Sequence, residues 1–226
     1  MNQPHIPASI SCATGRRRFL GGIGVSSLAA LLPAEAARAS TQATAPVKTS
    51  ARIVIAGGGA AGLTAANKLA TQLTGATIIM VDRRKEHYYQ PGFTLVAAGI
   101  KPQDYTVSQT SSYVPNGVEW LNEAVVELDP VGNKVVTDSG KRLAYDFLIV
   151  ATGLELNYGA IEGMDAALIG QNGLGSIYHG PQAAADTWKA LSTFADQGGI
   201  GLFGRPSGEM KCAGAPLKYT FISDDH

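Results

Sequence analysis

Residues 52–62 read Arg52-Ile53-Val54-Ile55-Ala56-Gly57-Gly58-Gly59-Ala60-Ala61-Gly62. A short β-branched run enters a glycine turn that opens a helix. The run Ile53 to Ile55 has the continuous apolar character of a strand buried on both faces. The G-x-G-x-x-G spacing gives the glycines separate roles. Gly57 makes the tight turn, Gly59 lets backbone approach a pyrophosphate, and Gly62 allows close helix–strand packing. A helix N-terminus then offers unpaired N–H groups and a partial positive charge to phosphate.

The flanking pattern supports this. Leu63, Ala66, Leu69, Ala70 and Leu73 continue at helical spacing up to Gly75, and a second apolar run, Thr77 to Val81, ends in Asp82. An acid at the tip of the second strand, about 20 or more residues after the glycines, is the expected ribose ligand. The plainer reading of Asp82 is a solvated strand-end carboxylate.

Further along, a loop is expected over 83–92 and a helix over 93–99. Short strands are expected at Val118–Leu121, Ala124–Leu128, Lys134–Thr137 and Arg142–Tyr145, all four in a β-meander. A buried strand follows at Phe147–Val150 and ends at Ala151-Thr152-Gly153. Turn residues separate the strands. After a glycine-rich loop, Pro181 to Ala195 reads as a helix, Ile200–Phe203 as a strand and Pro216–Ile222 as another helix. The fold class is α/β: a Rossmann-like dinucleotide-binding domain with a meander insertion over 51–160, then the start of a second, truncated α/β domain over 161–226.

The first 39 residues read as a targeting segment. Arg16-Arg17-Arg18-Phe19-Leu20 has the twin-arginine pattern, and the apolar stretch Leu20–Leu32 is 13 residues, against ~20 for a bilayer span. Ala37-Arg38-Ala39 is a small-x-small cleavage site, with Ala34-Glu35-Ala36 as the alternative. Residues 40–50 form a Thr/Ser/Ala/Pro-rich leader. The expected location is periplasmic. The whole chain is neutral, with 18 basic and 18 acidic residues, and removing residues 1–39 leaves 14 against 17. Neither balance suggests nucleic acid. Cys12 leaves with the signal, so the mature segment holds Cys212 alone. No His/Cys cluster has metal-ligand spacing, and no metal is expected.

Two segments carry a family resemblance: His87-Tyr88-Tyr89-Gln90-Pro91-Gly92-Phe93-Thr94-Leu95-Val96 and Lys211-Cys212-Ala213-Gly214-Ala215-Pro216. With the glycine turn and the run Tyr145–Gly153, they resemble the pyridine nucleotide-disulfide oxidoreductase class and, within it, the sulfide:quinone oxidoreductases. The resemblance implies FAD, with its pyrophosphate on Gly57, Gly59 and Gly62 beside Ala60 and Ala61, and its ribose on Asp82. It places Gln90 and Pro91 close to the flavin and passes Ala151, Thr152 and Gly153 near the cofactor. It makes Cys212 one of a redox pair. Sulfide and quinone are the implied small-molecule partners, with peripheral membrane contact in the full-length protein. A homo-oligomer is compatible with it.

The residues supply their own argument for Cys212. Lys211 and a following helix N-terminus favour thiolate over thiol, and a thiolate facing a flavin can pass it two electrons. The plainer reading is a small buried hydrophobe. Glu209 is a candidate proton acceptor or a surface carboxylate. His87 reads as a hydrogen-bonding residue, Tyr88, Tyr89 and Phe93 as packing, and Trp120 and Trp188 as core. The segment Gly201–Gly208 lacks G-x-G-x-x-G spacing, so NAD(P)H is not the expected donor. Two alternatives stay open: the flavoprotein subunit of a flavocytochrome c sulfide dehydrogenase, and a non-catalytic flavin-binding fragment. With Cys212 as its one mature cysteine, the polypeptide alone is expected to turn over no sulfide.

Overall fold

A computed structural model of the chain describes residues 45–206, 208 and 210–225. The export motif, Cys12 and Glu209 lie outside the described residues. Near the start, β1 (Val47–Lys48) pairs parallel with β3 (Leu73–Thr74). Between them run β2 (Arg52–Ala56) and α1 (Ala60–Gln72). Next comes β4 (Thr77–Val81), with the bounds expected from its apolar run. A parallel four-stranded sheet forms in the order β11 (Phe147–Val150), β2, β4, β7 (Val118–Leu121).

Alternation along β2 explains why both faces of this sheet are buried. Successive side chains on a strand point to opposite faces. Ile53 and Ile55 pack with Leu63 and Ala66 of α1 and with Ile78 and Met80 of β4. Val54 points the other way and joins Val81, Val135 and Tyr145. That second face is covered by an antiparallel meander of β8 (Val125–Asp129), β9 (Lys134–Thr137) and β10 (Arg142–Ala144). A strand covered on both sides is apolar at every position, which is the pattern of Ile53–Ile55.

Three local expectations need correction. Val118–Leu121 does not belong to the meander: it extends the parallel sheet, with Ile78 opposite Val118 and Val81 opposite Leu121. Its composition suits either sheet, and only long-range pairing decides. The loop expected over 83–92 contains β5 (Glu86–Tyr88), which pairs antiparallel with β6 (Val107–Gln109), and a 3-10 turn over Gln90–Gly92. Three-residue strands at a sequence distance of about 20 carry no local signal. Residues 200–203 form no strand. Ile200 and Leu202 are each 92% exposed, so the apolar run meets no partner strand.

A third core is helical. In α2 (Phe93–Ala97), Phe93, Val96 and Ala97 are buried against Ala184 and Leu191 of α3 (Pro181–Gln197) and Tyr219 of α4 (Ala215–Asp224). Trp188 packs on this cluster, and Gly99 after α2 has φ +69, with no room for a Cβ beside the Trp188 ring. Trp120 packs on the sheet–α1 core instead. Helix α3 stops at Gly198 (φ 70) and Gly199 (φ 129), conformations that glycine adopts without steric cost.

Candidate dinucleotide and cysteine site

The turn and packing roles expected of Gly57 and Gly62 are visible in the turn's own geometry. Gly57 has φ +107, and a Cβ there would lie 2.3 Å from the Ala151 carbonyl oxygen. A Cβ on Gly62 would lie 1.8 Å from the Gly57 carbonyl oxygen. Both positions are closed by the protein's own backbone. Gly59 differs. Its φ of −74 and ψ of −170 are open to any residue, and a Cβ there would meet only Arg84 Nη2, at 3.9 Å. Nothing among the described residues excludes a side chain at Gly59, and the space in front of it is open.

Donors line that space. The first helical bond of α1 runs from Leu63 N–H to Gly59 O at 2.9 Å. The N–H groups of Ala60, Ala61 and Gly62 therefore have no acceptor among the described residues. The first turn carries no acidic residue and Gly59 makes no side-chain cap. A negatively charged group is the complementary occupant.

Asp82 stands beside this turn, with both carboxylate oxygens on backbone donors. Gly58 N–H donates to Oδ2 at 2.6 Å, and Arg84 N–H to Oδ1 at 2.7 Å. Its carbonyl accepts from Trp120 Nε1 at 2.9 Å and from Asn122 Nδ2 at 3.2 Å, and Asn122 also donates to Arg83 O at 2.7 Å. Trp120 and Asn122 thus brace the strand tip, a role that their types do not announce. Ala151 N–H donates to Ala56 O at 2.7 Å, which brings Ala151-Thr152-Gly153 against the glycine turn. The first cluster therefore unites Gly57–Gly62, Asp82 and 151–153.

The second cluster joins Gln90 and Pro91 to the cysteine loop. Lys211 Nζ donates to Gln90 Oε1, and Lys218 Nζ to Pro91 O at 3.3 Å. Tyr219 Oη donates to Ala97 O at 3.1 Å, deep in the helical core. Cys212 is exposed and unpaired, and Ala215 N–H closes the turn onto its carbonyl at 3.1 Å. The buried-hydrophobe reading of Cys212 does not hold. Lys211 Nζ also lies 5.6 Å from the ring centroid of Tyr178. Burial, and then the electrostatic influence of the Cys212 side chain, push the Tyr178 phenol up, so it is protonated at neutral pH.

Aromatic contacts span the two clusters. The Arg84 guanidinium lies 5.2 Å from the Tyr88 centroid. Tyr88 is 6.4 Å from Phe93, and Phe93 is 6.1 Å from Tyr178. The packing roles expected of Tyr88 and Phe93 are what joins one half of the site to the other. His87 packs at a tilt against Tyr113, with ring centroids 5.1 Å apart. Burial, and then the Arg84 charge, lower its pKa below 6.5, so it is neutral at pH 7. A separate cleft of about 730 Å³ runs along α1 to residues 112–116. It includes His87 and, of the expected cofactor residues, Ala60 alone.

The family model described as pyridine nucleotide-disulphide oxidoreductase matches residues 51–197. The mitochondrial sulfide:quinone oxidoreductase of Mus musculus is 37% identical over 184 residues, covering 81% of this chain and 40% of that protein. Its counterpart from Dictyostelium discoideum is 34% identical over 181 residues, covering 80% and 39%. Among solved structures, the sulfide:quinone oxidoreductase of Aquifex aeolicus superposes with a TM-score of 0.53 at 25% identity, over 66% of this chain and 33% of that one. The chain spans about two fifths of the length of the mouse and Dictyostelium proteins.

Proposed function

The chain belongs to the pyridine nucleotide-disulphide oxidoreductase family, and from that membership we propose that it serves FAD-dependent oxidation of sulfide, with quinone as electron acceptor. The family is FAD-dependent, and the residues fit that group. Gly57, Gly59 and Gly62, with Ala60 and Ala61, would hold the pyrophosphate. Asp82 would take the ribose by giving up one of its backbone donors. Residues 51–160 are the FAD domain in this reading, and 161–226 bring the cysteine loop to it.

Bound FAD supplies a two-electron sink that quinone can empty. The protein's own part is to present sulfur to it. Cys212 stands solvent-open on a loop that Lys211, with Lys218 of the following α4, ties to the Gln90–Pro91 turn, and that tie carries the reading. With FAD bound, the Cys212 thiolate and hydrosulfide would give a Cys212 persulfide (RS⁻ + HS⁻ → RSSH + 2e⁻), and the flavin would be the oxidant that takes up the electron pair. The protonated Tyr178 and the Lys211 ammonium offer positive or hydrogen-bonding ground beside that sulfur.

Anaerobic mixing of the FAD-loaded chain with sulfide tests this in a single reduction. The expected result is loss of the oxidised-flavin absorbance with one added sulfur on Cys212 by mass, both absent in Cys212→Ser. Equal bleaching in Cys212→Ser, or bleaching by NADH and not by sulfide, overturns it.

We also propose export by the twin-arginine route to the periplasm, with Arg16-Arg17-Arg18-Phe19-Leu20 as its supporting feature. Replacing Arg16 and Arg17 by lysine is expected to keep the protein in the cytoplasmic fraction. Unchanged fractionation would count against that route. Among the described residues no helix is long and apolar enough to cross a membrane.

A further inference from the structure

Beyond β4 the chain reads Asp82-Arg83-Arg84-Lys85, and the middle basic residue, Arg84, is fixed at several points. Its N–H donates to Asp82 Oδ1 at 2.7 Å. Its carbonyl accepts from the hydroxyl of Thr110 at 3.1 Å, and Thr110 is only 1% exposed. The guanidinium rests on the Tyr88 ring, and the Tyr88 hydroxyl is itself tied to Glu86 Oε2 at 3.0 Å. An arginine stacked this way has surrendered side-chain freedom before a ligand arrives.

Its charge is also left available. Arg52, Lys141 and Lys189 each hold a carboxylate, whereas Arg84 makes no ion pair among the described residues. Of the two acids two positions away, Asp82 has both oxygens on backbone N–H groups and Glu86 accepts from the Tyr88 hydroxyl. Meanwhile Arg84 Nη2 comes within 3.9 Å of the point where a Cβ on Gly59 would stand. The guanidinium therefore faces the same space as the unpaired N–H groups of Ala60, Ala61 and Gly62.

We propose that Arg84 is a diphosphate-binding residue that, with the first turn of α1, clamps the pyrophosphate of the dinucleotide. The proposal rests on reading the glycine turn as the FAD site. A planar guanidinium can bind two phosphate oxygens at once, while the helix N–H groups approach from the turn. Neither partner alone discriminates as well as the two together. The clamp selects ligands by their diphosphate: FAD and ADP share it, and adenosine lacks it.

The test measures affinity of the full chain for FAD, ADP and adenosine at several salt concentrations, by flavin fluorescence and calorimetry. Wild type, Arg84→Met and Arg84→Lys are compared, with thermal midpoints to confirm folding. Arg84→Met is expected to weaken FAD and ADP about tenfold, to leave adenosine unchanged and to flatten the salt dependence. Arg84→Lys restores part of the affinity, because the charge returns without the fork. Arg84→Met within twofold of wild type for FAD and ADP overturns the proposal. So does an equal loss for adenosine, which marks a general defect. If Arg84 governs FAD affinity and sulfide still leaves the flavin oxidised, the functional reading fails and the clamp stands. A wild-type chain that binds neither FAD nor ADP removes both.

Discussion

Glycines in one turn answer to different physical demands. Gly62 is glycine because a Cβ would overlap the Gly57 carbonyl, at 1.8 Å. Gly59 has an ordinary backbone conformation and open space, so the fold itself does not require glycine there, and the proposed pyrophosphate site would. Gly62→Ala is therefore expected to destabilise the fold by about 1–3 kcal/mol, the usual cost of overpacking, read by urea unfolding. Gly59→Leu should keep its unfolding midpoint and lose FAD. A Gly59→Leu chain that retains its flavin would remove the pyrophosphate assignment. These residues were legible because the motif encodes its own spacing. Arg84 was not: it is one of three consecutive basic residues, and only Tyr88, Asp82 and Thr110 decide which of them turns to the site. Trp120 and Asn122 were hidden for the same reason, since their partner is the backbone of a strand tip 38 to 40 positions away.

At the scale of elements, a strand is legible when its own side chains say which faces are covered. For β2 and β4 they do, and the expected bounds of β4 and β11 are those observed; the burial expected of β11 is not, because it is an edge strand with Phe147 and Val150 exposed. Sheet membership is another matter, as β7 shows. Its edge position depends on Asp82 N–H meeting Leu121 O at 3.1 Å, a contact that no window of sequence contains. The start of β2 is tied to the start of β11 by a bidentate pair. Arg52 Nε and Nη2 donate to Asp146 at 3.2 and 2.8 Å, and the Arg52 N–H adds a third bond at 2.7 Å. The Arg52 side chain, then its backbone N–H, lower the Asp146 carboxyl from 3.8 to about 2. A depressed carboxylate contributes stability that is full above its unfolded pKa and is lost as pH falls through the folded one. Thermal midpoints of wild type should thus drop between about pH 4 and pH 2, in addition to any general acid effect. Asp146→Asn should start lower at neutral pH and show a shallower drop in that window. Parallel curves for the two proteins would refute the contribution.

In the whole molecule, three cores meet around one site, and Phe93 is the joint. It is 1% exposed, packs with α3 and α4, and stands between Tyr88 and Tyr178. Phe93→Ala is expected to cost about 3–5 kcal/mol, as large core deletions do. It should also speed amide exchange in α4 and the cysteine loop ahead of the β2–β4 sheet. Uniform exchange across all elements would show that Phe93 has no special tie to that loop. The sequence by itself determined the dinucleotide half: strand, glycine turn, helix and terminal acid are contiguous, and each is written in local periodicity and in residues whose backbone freedom is their signal. Only the tertiary structure decided the rest. Lys211 meets Gln90 across 121 positions and Lys218 meets Pro91 across 127. Such contacts are chosen by how the helices pack on Phe93, and their energy exists only once the chain has closed on itself.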